Sequence, residues 1–212
     1  MEAFDSDQQL EWLKTWWNKY GNALIAGVAL GILVLAGTNY WLRHRAFSAD
    51  AASSLYDVML GELAQKNVTA AQADGQLLIR HYGSTPYAGD AALVLARVSM
   101  DAGNAKAARG HLRWAMDHGT GAAVRVVARL RLARLLMQDG RLDAALKLAD
   151  SGDRDGFASD YDELRGDILV AQGKRNQARQ AYSAALTELG SSAPYARVLQ
   201  MKLDDLGPEV GK

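Results

Sequence analysis

Residues 164–185 read LRGDILVAQGKRNQARQAYSAA. Leu164 and Leu169 precede Gly173 without strand-like alternation, and Ala178, Tyr182 and Ala185 follow it at helical spacing. Glycine permits a tight turn, and a small residue such as Gly166 lets two helices approach closely. The stretch therefore predicts two antiparallel helices joined at Gly173. The same arrangement recurs upstream around Gly140 and Gly103. An alanine follows each glycine by five residues (Ala108, Ala145, Ala178), and a small residue precedes each by seven (Ala96, Ala133, Gly166). Leu95 and Leu132 stand just before the first two of these, and Arg165, behind Leu164, before the third.

This pattern resembles the tetratricopeptide repeat, a helix-turn-helix of about 34 residues. The copy at Gly103 adds Leu112 and Ala115, and the copy at Gly140 degrades towards Ala149 and Gly152. The turn glycines are 37 residues apart (103 to 140) and then 33 (140 to 173), so the array is irregular. A fainter unit precedes these, with Gly61 and Ala64 on a first helix, Ala73 and Leu77 on a second, then Pro86. Thr69-Ala70-Ala71-Gln72 has the form of a capping box. Pro86 and Pro194 suit first helical turns. Gly119, Gly121 and Ser151-Gly152 punctuate the hairpins, and a helix over 194–206 caps the end before Gly207-Pro208. Inner helices are expected at 87–101, 122–138 and 161–172. A generic helical bundle is the competing architecture.

Working outward to the N-terminus, no charged residue occurs between Lys19 and Arg43, and residues 20–42 read YGNALIAGVALGILVLAGTNYWL. At about 1.5 Å per residue a helix of this length covers roughly 34 Å, enough for a hydrocarbon core about 30 Å thick. Trp16, Trp17 and Tyr20 precede the segment and Tyr40 and Trp41 close it, as headgroup-level aromatic belts do. A cleaved signal peptide fits poorly: the start is acidic (Glu2, Asp5, Asp7, Glu11), the apolar run is long, and the small-residue site at 49–51 lies beyond Arg43 and Arg45. Lys14 and Lys19 on one side nearly balance Arg43 and Arg45 on the other, so charge leaves the orientation open. Gly27 and Gly31 have the spacing that lets a second membrane helix approach. The span carries no ionisable group, which argues against an ion or proton path.

The expected fold is all-α: a single N-terminal transmembrane helix followed by a tetratricopeptide-like solenoid of helical hairpins. The expected organisation is a short cytoplasmic segment at 1–19, the membrane helix at 20–42, the repeat domain at 43–206 and a tail at 207–212. Residues 46–66 form the first helix beyond the membrane.

Lys+Arg and Asp+Glu are both 24, so no global basic field points to nucleic acid. The absence of cysteine removes disulfides, thiolate catalysis and thiolate metal sites. His111 and His118 have no accompanying metal motif. The loop Asp153-Arg154-Asp155-Gly156 echoes a calcium loop, but Ser151 and Asp162 stand at its first and closing ligand positions. Asn67-Val68-Thr69 is a sequon in the setting of a helix start. No nucleophile motif, phosphate loop or dinucleotide fingerprint is present, so neither an enzyme nor a cofactor is expected.

Charge is unevenly placed. Residues 97–141 carry nine basic residues against Asp101, Asp117 and Asp139, and residues 143–167 carry eight acidic ones against Lys147, Arg154 and Arg165. Two readings stand: the blocks pair between neighbouring hairpins, or the basic block lines a groove for an acidic partner or lipid heads. Repeat solenoids bind along their concave face. On the second reading the candidate contacts are Arg125, Arg129, Arg131 and Arg134.

Anchor, order and repeat together resemble the YfgM family, the ancillary subunit of the bacterial SecYEG translocon. The features that carry this are Trp16-Trp17 before the anchor, residues 130–134 (LRLAR), 164–167 (LRGD) and 177–182 (QARQAY), and 200–206 (QMKLDDL) near the end. The resemblance implies an inner-membrane protein with a cytoplasmic N-terminus and a periplasmic repeat domain. It further implies association with SecYEG, with the membrane-anchored periplasmic chaperone PpiD and with newly exported client proteins, and no catalytic residues. The alternative is a regulatory or assembly scaffold whose repeat domain faces the cytoplasm.

Overall fold

Abundant alanine and few prolines favour helix, and all regular structure among the described residues is helical. The computed structural model describes residues 3–152, 154, 156–190 and 193–207; of residues 3–11, 13, 23 and 24 it describes the backbone alone. Asp153 and Asp155 of the calcium-like loop, and the tail beyond Gly207, lie outside the described residues.

Among the described residues nine helices follow in order: α1 (Ala3–Ala64), α2 (Val68–His81), α3 (Pro86–Asp101), α4 (Ala105–His118), α5 (Ala122–Gln138), α6 (Leu142–Asp150), α7 (Ala158–Ala171), α8 (Arg175–Leu189) and α9 (Ala196–Asp205). The expected inner helices are α3, α5 and α7, with ends within a few residues of those read from the periodicity. The chain divides into two units, Met1–Ser48 and Ala49–Lys212, and α1 contributes its last turns to the second.

In the first unit, α1 contains a stretch long and apolar enough to cross a membrane, and its side chains there are uncovered by protein. Thr38, the hydroxyl inside it, donates to the carbonyl of Val34 at 2.9 Å, which satisfies a polar group where water would be missing. At the flanks the Lys19 ammonium lies 5.5 Å from the Tyr20 ring and the Arg45 guanidinium 5.2 Å from the Trp41 ring. Both long side chains can thus reach towards headgroups while their rings stay at the interface.

The second unit is built from one repeated closure. Gly103, Gly140 and Gly173 have φ of 71°, 73° and 75°, a region that L side chains avoid. The amide after each donates to a carbonyl five residues back: Asn104 to Ser99, Arg141 to Leu136 and Lys174 to Leu169, at 2.8, 2.9 and 2.8 Å. Each glycine amide donates three residues back. This is the Schellman closure of a helix C-terminus. It turns the chain so that the alanine five residues on meets the preceding helix: Ala108, Ala145 and Ala178 are completely buried.

The first hairpin uses the same closure without glycine. Lys66 has φ 63°, the sole positive value at a non-glycine among the described residues. Asn67 donates to Glu62 at 2.8 Å and Lys66 to Leu63 at 3.0 Å. Counting from Lys66, the buried alanine is Ala71, and Met59 fills the place of Ala96 and Ala133. The unit anchored on Gly61, Ala64, Ala73 and Leu77 is therefore corrected: Ala64, Ala73 and Leu77 are exposed, and α2 buries Ala71, Gly75 and Leu78 instead. The capping box at 69–72 is also corrected. The helix begins at Val68 with Asn67 as its cap, and no side chain caps it. At α4 the cap is real: the Asn104 side chain accepts from the Ala107 amide at 3.0 Å.

Within the last hairpin, Gly166 of α7 lies against the ring of Tyr182 on α8, with no room for a Cβ between them. That ring is held at its far end, since its hydroxyl donates to Asp167 at 2.7 Å. The Lys202 ammonium of α9 reaches back to Asp167 at 2.6 Å and Glu163 at 2.7 Å, and Tyr195 donates to Glu163 at 2.8 Å. This cluster fastens α9 over α7 and α8, whose apolar side chains Leu169, Ala181 and Tyr182 pack with Leu199 and Leu203. Pro194 stands in the turn before α9 rather than within its first helical turn.

Three outcomes follow from these contacts. Replacing Lys66 by glycine relieves a left-handed residue that costs about 1–2 kcal/mol. Lys66→Gly should raise the unfolding midpoint by a few degrees, read by circular dichroism on the full chain in micelles. Gly166→Ala should lower stability by about 1–3 kcal/mol, since Tyr182 is pinned and cannot swing away; urea titration with helical content as the signal checks it. The third concerns alkali. Burial lowers the Lys202 pKa, but hydrogen bonds and charge from Asp167 and Glu163 outweigh it, and the net shift is above the ordinary 10.5. Burial and Asp167 also push the Tyr182 hydroxyl up. Both groups bind protons more tightly when folded, so their contribution is present below the ordinary values and is lost as pH climbs through the folded ones. Urea stability should therefore fall above about pH 10, and less steeply in Lys202→Met/Tyr182→Phe.

Candidate interaction groove

The inner helices of a solenoid turn one side chain per helical turn towards the concave face. Here α3, α5 and the last turns of α1 surround a cavity of about 790 Å³. Its apolar lining includes Leu63 from α1, Leu93 and Val94 from α3, and Leu135 from α5. Its polar lining comes from Asp90, Arg97 and Asp101 on α3 and Arg131, Arg134 and Gln138 on α5. Arg131, Arg134 and Gln138 are three and four residues apart and so share one face of α5. The opposite face, with Val126, Leu130 and Ala133, is buried in the core.

The four candidate arginines separate on this geometry. Arg131 is exposed and Arg134 half-buried, both lining the groove. Among the described residues neither has an ion pair or hydrogen bond. Arg125 turns back and donates to the carbonyl of Gly119 at 2.8 Å, where α4 ends. Arg129 packs against Gly152 after α6 and interacts with the hydroxyl of Tyr161. That hydroxyl donates to the Val126 carbonyl at 2.9 Å and is pushed up by burial, against the pull of Arg129 and Arg154. The i,i+4 pair Arg125 and Arg129 thus fastens the ends of hairpins, while the i,i+3 pair Arg131 and Arg134 is left to the groove.

The remaining ion pairs show how the two charge blocks are used. Within the basic block, Arg97 pairs with Asp101 at 2.9 Å and Arg109 with Asp139. Within the acidic block, Arg154 pairs with Asp162 at 2.9 Å and Arg165 with Asp150 at 3.3 Å, while Lys202 serves Glu163 and Asp167. Asp143 accepts from Gln172. Arg97, Arg134 and Asp167 each stand six residues before a turn glycine, so they occupy the same place on successive inner helices. The concave face changes sign between α5 and α7.

Sequence reading passed over Tyr56 and Asp90. Tyr56 lies 5.9 Å from the Tyr87 ring and lines the cavity with Asp90. Burial raises the Asp90 carboxyl, and burial followed by the charges of Asp90 and Asp57 raises the Tyr56 hydroxyl. The available signal was spacing: Asp90, Val94, Arg97 and Asp101 step along one face of α3. His111 is held below its ordinary value by burial. In the first unit, Gly27 and Gly31 are open, with nothing where a Cβ would stand.

Known proteins agree with this architecture along nearly the whole chain. The model of the tetratricopeptide repeat-like domain family matches residues 14–208. An ancillary SecYEG translocon subunit of Escherichia coli (strain K12) is 29% identical over 207 residues, 97% of this chain and 99% of the relative. The protein of the same name from Neisseria gonorrhoeae is 30% identical over 205 residues, 95% and 97% of the two chains. That of Haemophilus influenzae is 27% identical over 204 residues, 96% and 98%. With a left-handed turn closing each of four hairpins, an apolar N-terminal helix and matches that run almost end to end, the chain belongs to the family of ancillary SecYEG translocon subunits and carries its tetratricopeptide repeat-like domain.

Proposed function

We propose that this chain is a non-catalytic interaction subunit of the Sec machinery, held in the bacterial inner membrane by residues 20–42. In this reading residues 1–19 are cytoplasmic, residues 43–206 form a periplasmic repeat domain and residues 207–212 a tail. The repeat domain works beside the translocon with a membrane-anchored periplasmic chaperone of the PpiD kind and meets newly exported proteins. The observation that carries the reading is the near end-to-end match to relatives named for the SecYEG translocon. The apolar helix and the groove supply its two physical requirements. An anchor confines the repeat domain to the membrane plane and raises its effective concentration at a fixed partner, so weak contacts suffice. Gly27 and Gly31 offer a face on which a second helix packs closely. The groove, rather than any reactive group, is what the domain presents.

The nearly equal basic flanks, Lys14 and Lys19 against Arg43 and Arg45, leave the orientation open, and the second reading is a scaffold whose repeat domain faces the cytoplasm. Alkaline phosphatase fused after Lys212 separates the two. Activity is expected with the periplasmic arrangement, and an inactive phosphatase beside a fluorescent cytoplasmic-type fusion would overturn it. Crosslinking and purification in mild detergent should recover SecYEG, and an export chaperone with it. Recovery of neither would leave the Sec assignment without support.

A further inference from the structure

We propose that the groove between α1, α3 and α5 receives an apolar segment of a protein partner that carries one acidic side chain, with Arg131 and Arg134 as its carboxylate receptors. The inference rests on the reading of this chain as an interaction subunit and names the chemistry of what it takes.

Three observations converge on it. The first is charge left over. Three acidic residues on α7 are already engaged, Asp162 by Arg154 and both Glu163 and Asp167 by Lys202. Arg131 and Arg134 lie one turn apart, and no described carboxylate neutralises them. Arg97 stands in register with Arg134 and holds Asp101 only through an exposed i,i+4 pair, which solvent screens and weakens. A guanidinium pair of this kind matches the planar, two-oxygen geometry of a carboxylate. The second is the floor. Leu93, Val94 and Leu135 lie below the arginines in a concave site of about 790 Å³, which a short apolar stretch fills. A flat layer of lipid headgroups would reach the rim and leave that floor empty. The third is Asp90, a half-buried carboxyl in the same lining with no ion-pair partner among the described residues. Asp90 stands about two turns of helix before Arg97 on α3. It repels a second carboxylate, so a polyanion fits poorly and a segment with a single acid fits well.

The test uses the full chain in zwitterionic lipid nanodiscs and fluorescein-labelled peptides of seven residues, blocked at both ends. One is Leu/Val-rich with a central glutamate, and its twin has glutamine there. The glutamate peptide should bind at least tenfold more tightly, and Arg131→Gln/Arg134→Gln should remove the difference while leaving helical content and melting unchanged. Arg125→Gln should keep the preference. Arg131→Glu/Arg134→Glu should instead favour a third peptide with lysine at the central position. Equal binding of the glutamate and glutamine peptides overturns the proposal, as does a preference that survives the double glutamine variant. Binding only to a peptide with a free C-terminal carboxylate, or arginine-dependent binding to anionic vesicles with none to peptide, also overturns it. Recovery of SecYEG with the unsubstituted chain is read in parallel. No glutamate preference in that chain with SecYEG recovered sinks the groove assignment alone. A glutamate preference in that chain without SecYEG sinks the functional reading alone.

Discussion

One residue in the left-handed region closes each hairpin of the second unit, and the other contacts of the domain are consequences of that closure. At Gly103, Gly140 and Gly173 the cost is small because no Cβ meets the backbone. At Lys66 the same geometry persists with a side chain present. It persists because the paired backbone hydrogen bonds and the burial of Ala71 and Met59 both require it. Once the turn is set, the alanine five residues on can only point into the preceding helix. Fully buried alanines allow backbones to approach closely, which brings the next inner helix within reach of the last. The concave face, and with it the groove, is the accumulated result of four such turns.

The acidic cluster on α7 shows how packing and electrostatics share the same residues. Tyr182 fills the space that Gly166 leaves and donates to Asp167, so the contact that joins two helices also fixes a charge. Lys202 completes that charge from α9. The end of the array is therefore sealed by a network in which each polar group has a partner, and such a network stabilises only when it is complete.

Much of this was legible in the sequence, for identifiable reasons. Glycine at a left-handed turn and alanine at a close approach have no substitutes of similar cost, so three hairpins could be read directly. The uncharged residues 20–42 were as plain. The first hairpin was misread because its turn residue is lysine, and the glycine-anchored pattern slid to Gly61. Thr69 and Gln72 imitated a cap because the capping box is a local motif, whereas the start of α2 is set by the turn at Lys66. Among the arginines, spacing alone did not separate Arg125 and Arg129 from Arg131 and Arg134. The first two are drawn to a helix end at Gly119, six residues back, and to a loop at Gly152, and helical spacing signals neither contact. Asp90 went unread because its spacing places it on one face of α3 without showing that the neighbouring helices remove water from it.

Lys202 has a further effect that concerns α5 more than α7. Asp167 follows Arg134 by one repeat on the concave face, a separation comparable with the distance over which charges are felt through physiological salt. Unneutralised, Asp167 and Glu163 would add two negative charges on the inner helix next to the one that carries the groove arginines. By pairing with both acids, the lysine of the last helix offsets part of that charge and weakens the field between adjacent repeats. The receptivity of the middle of the array is in this sense maintained from its end.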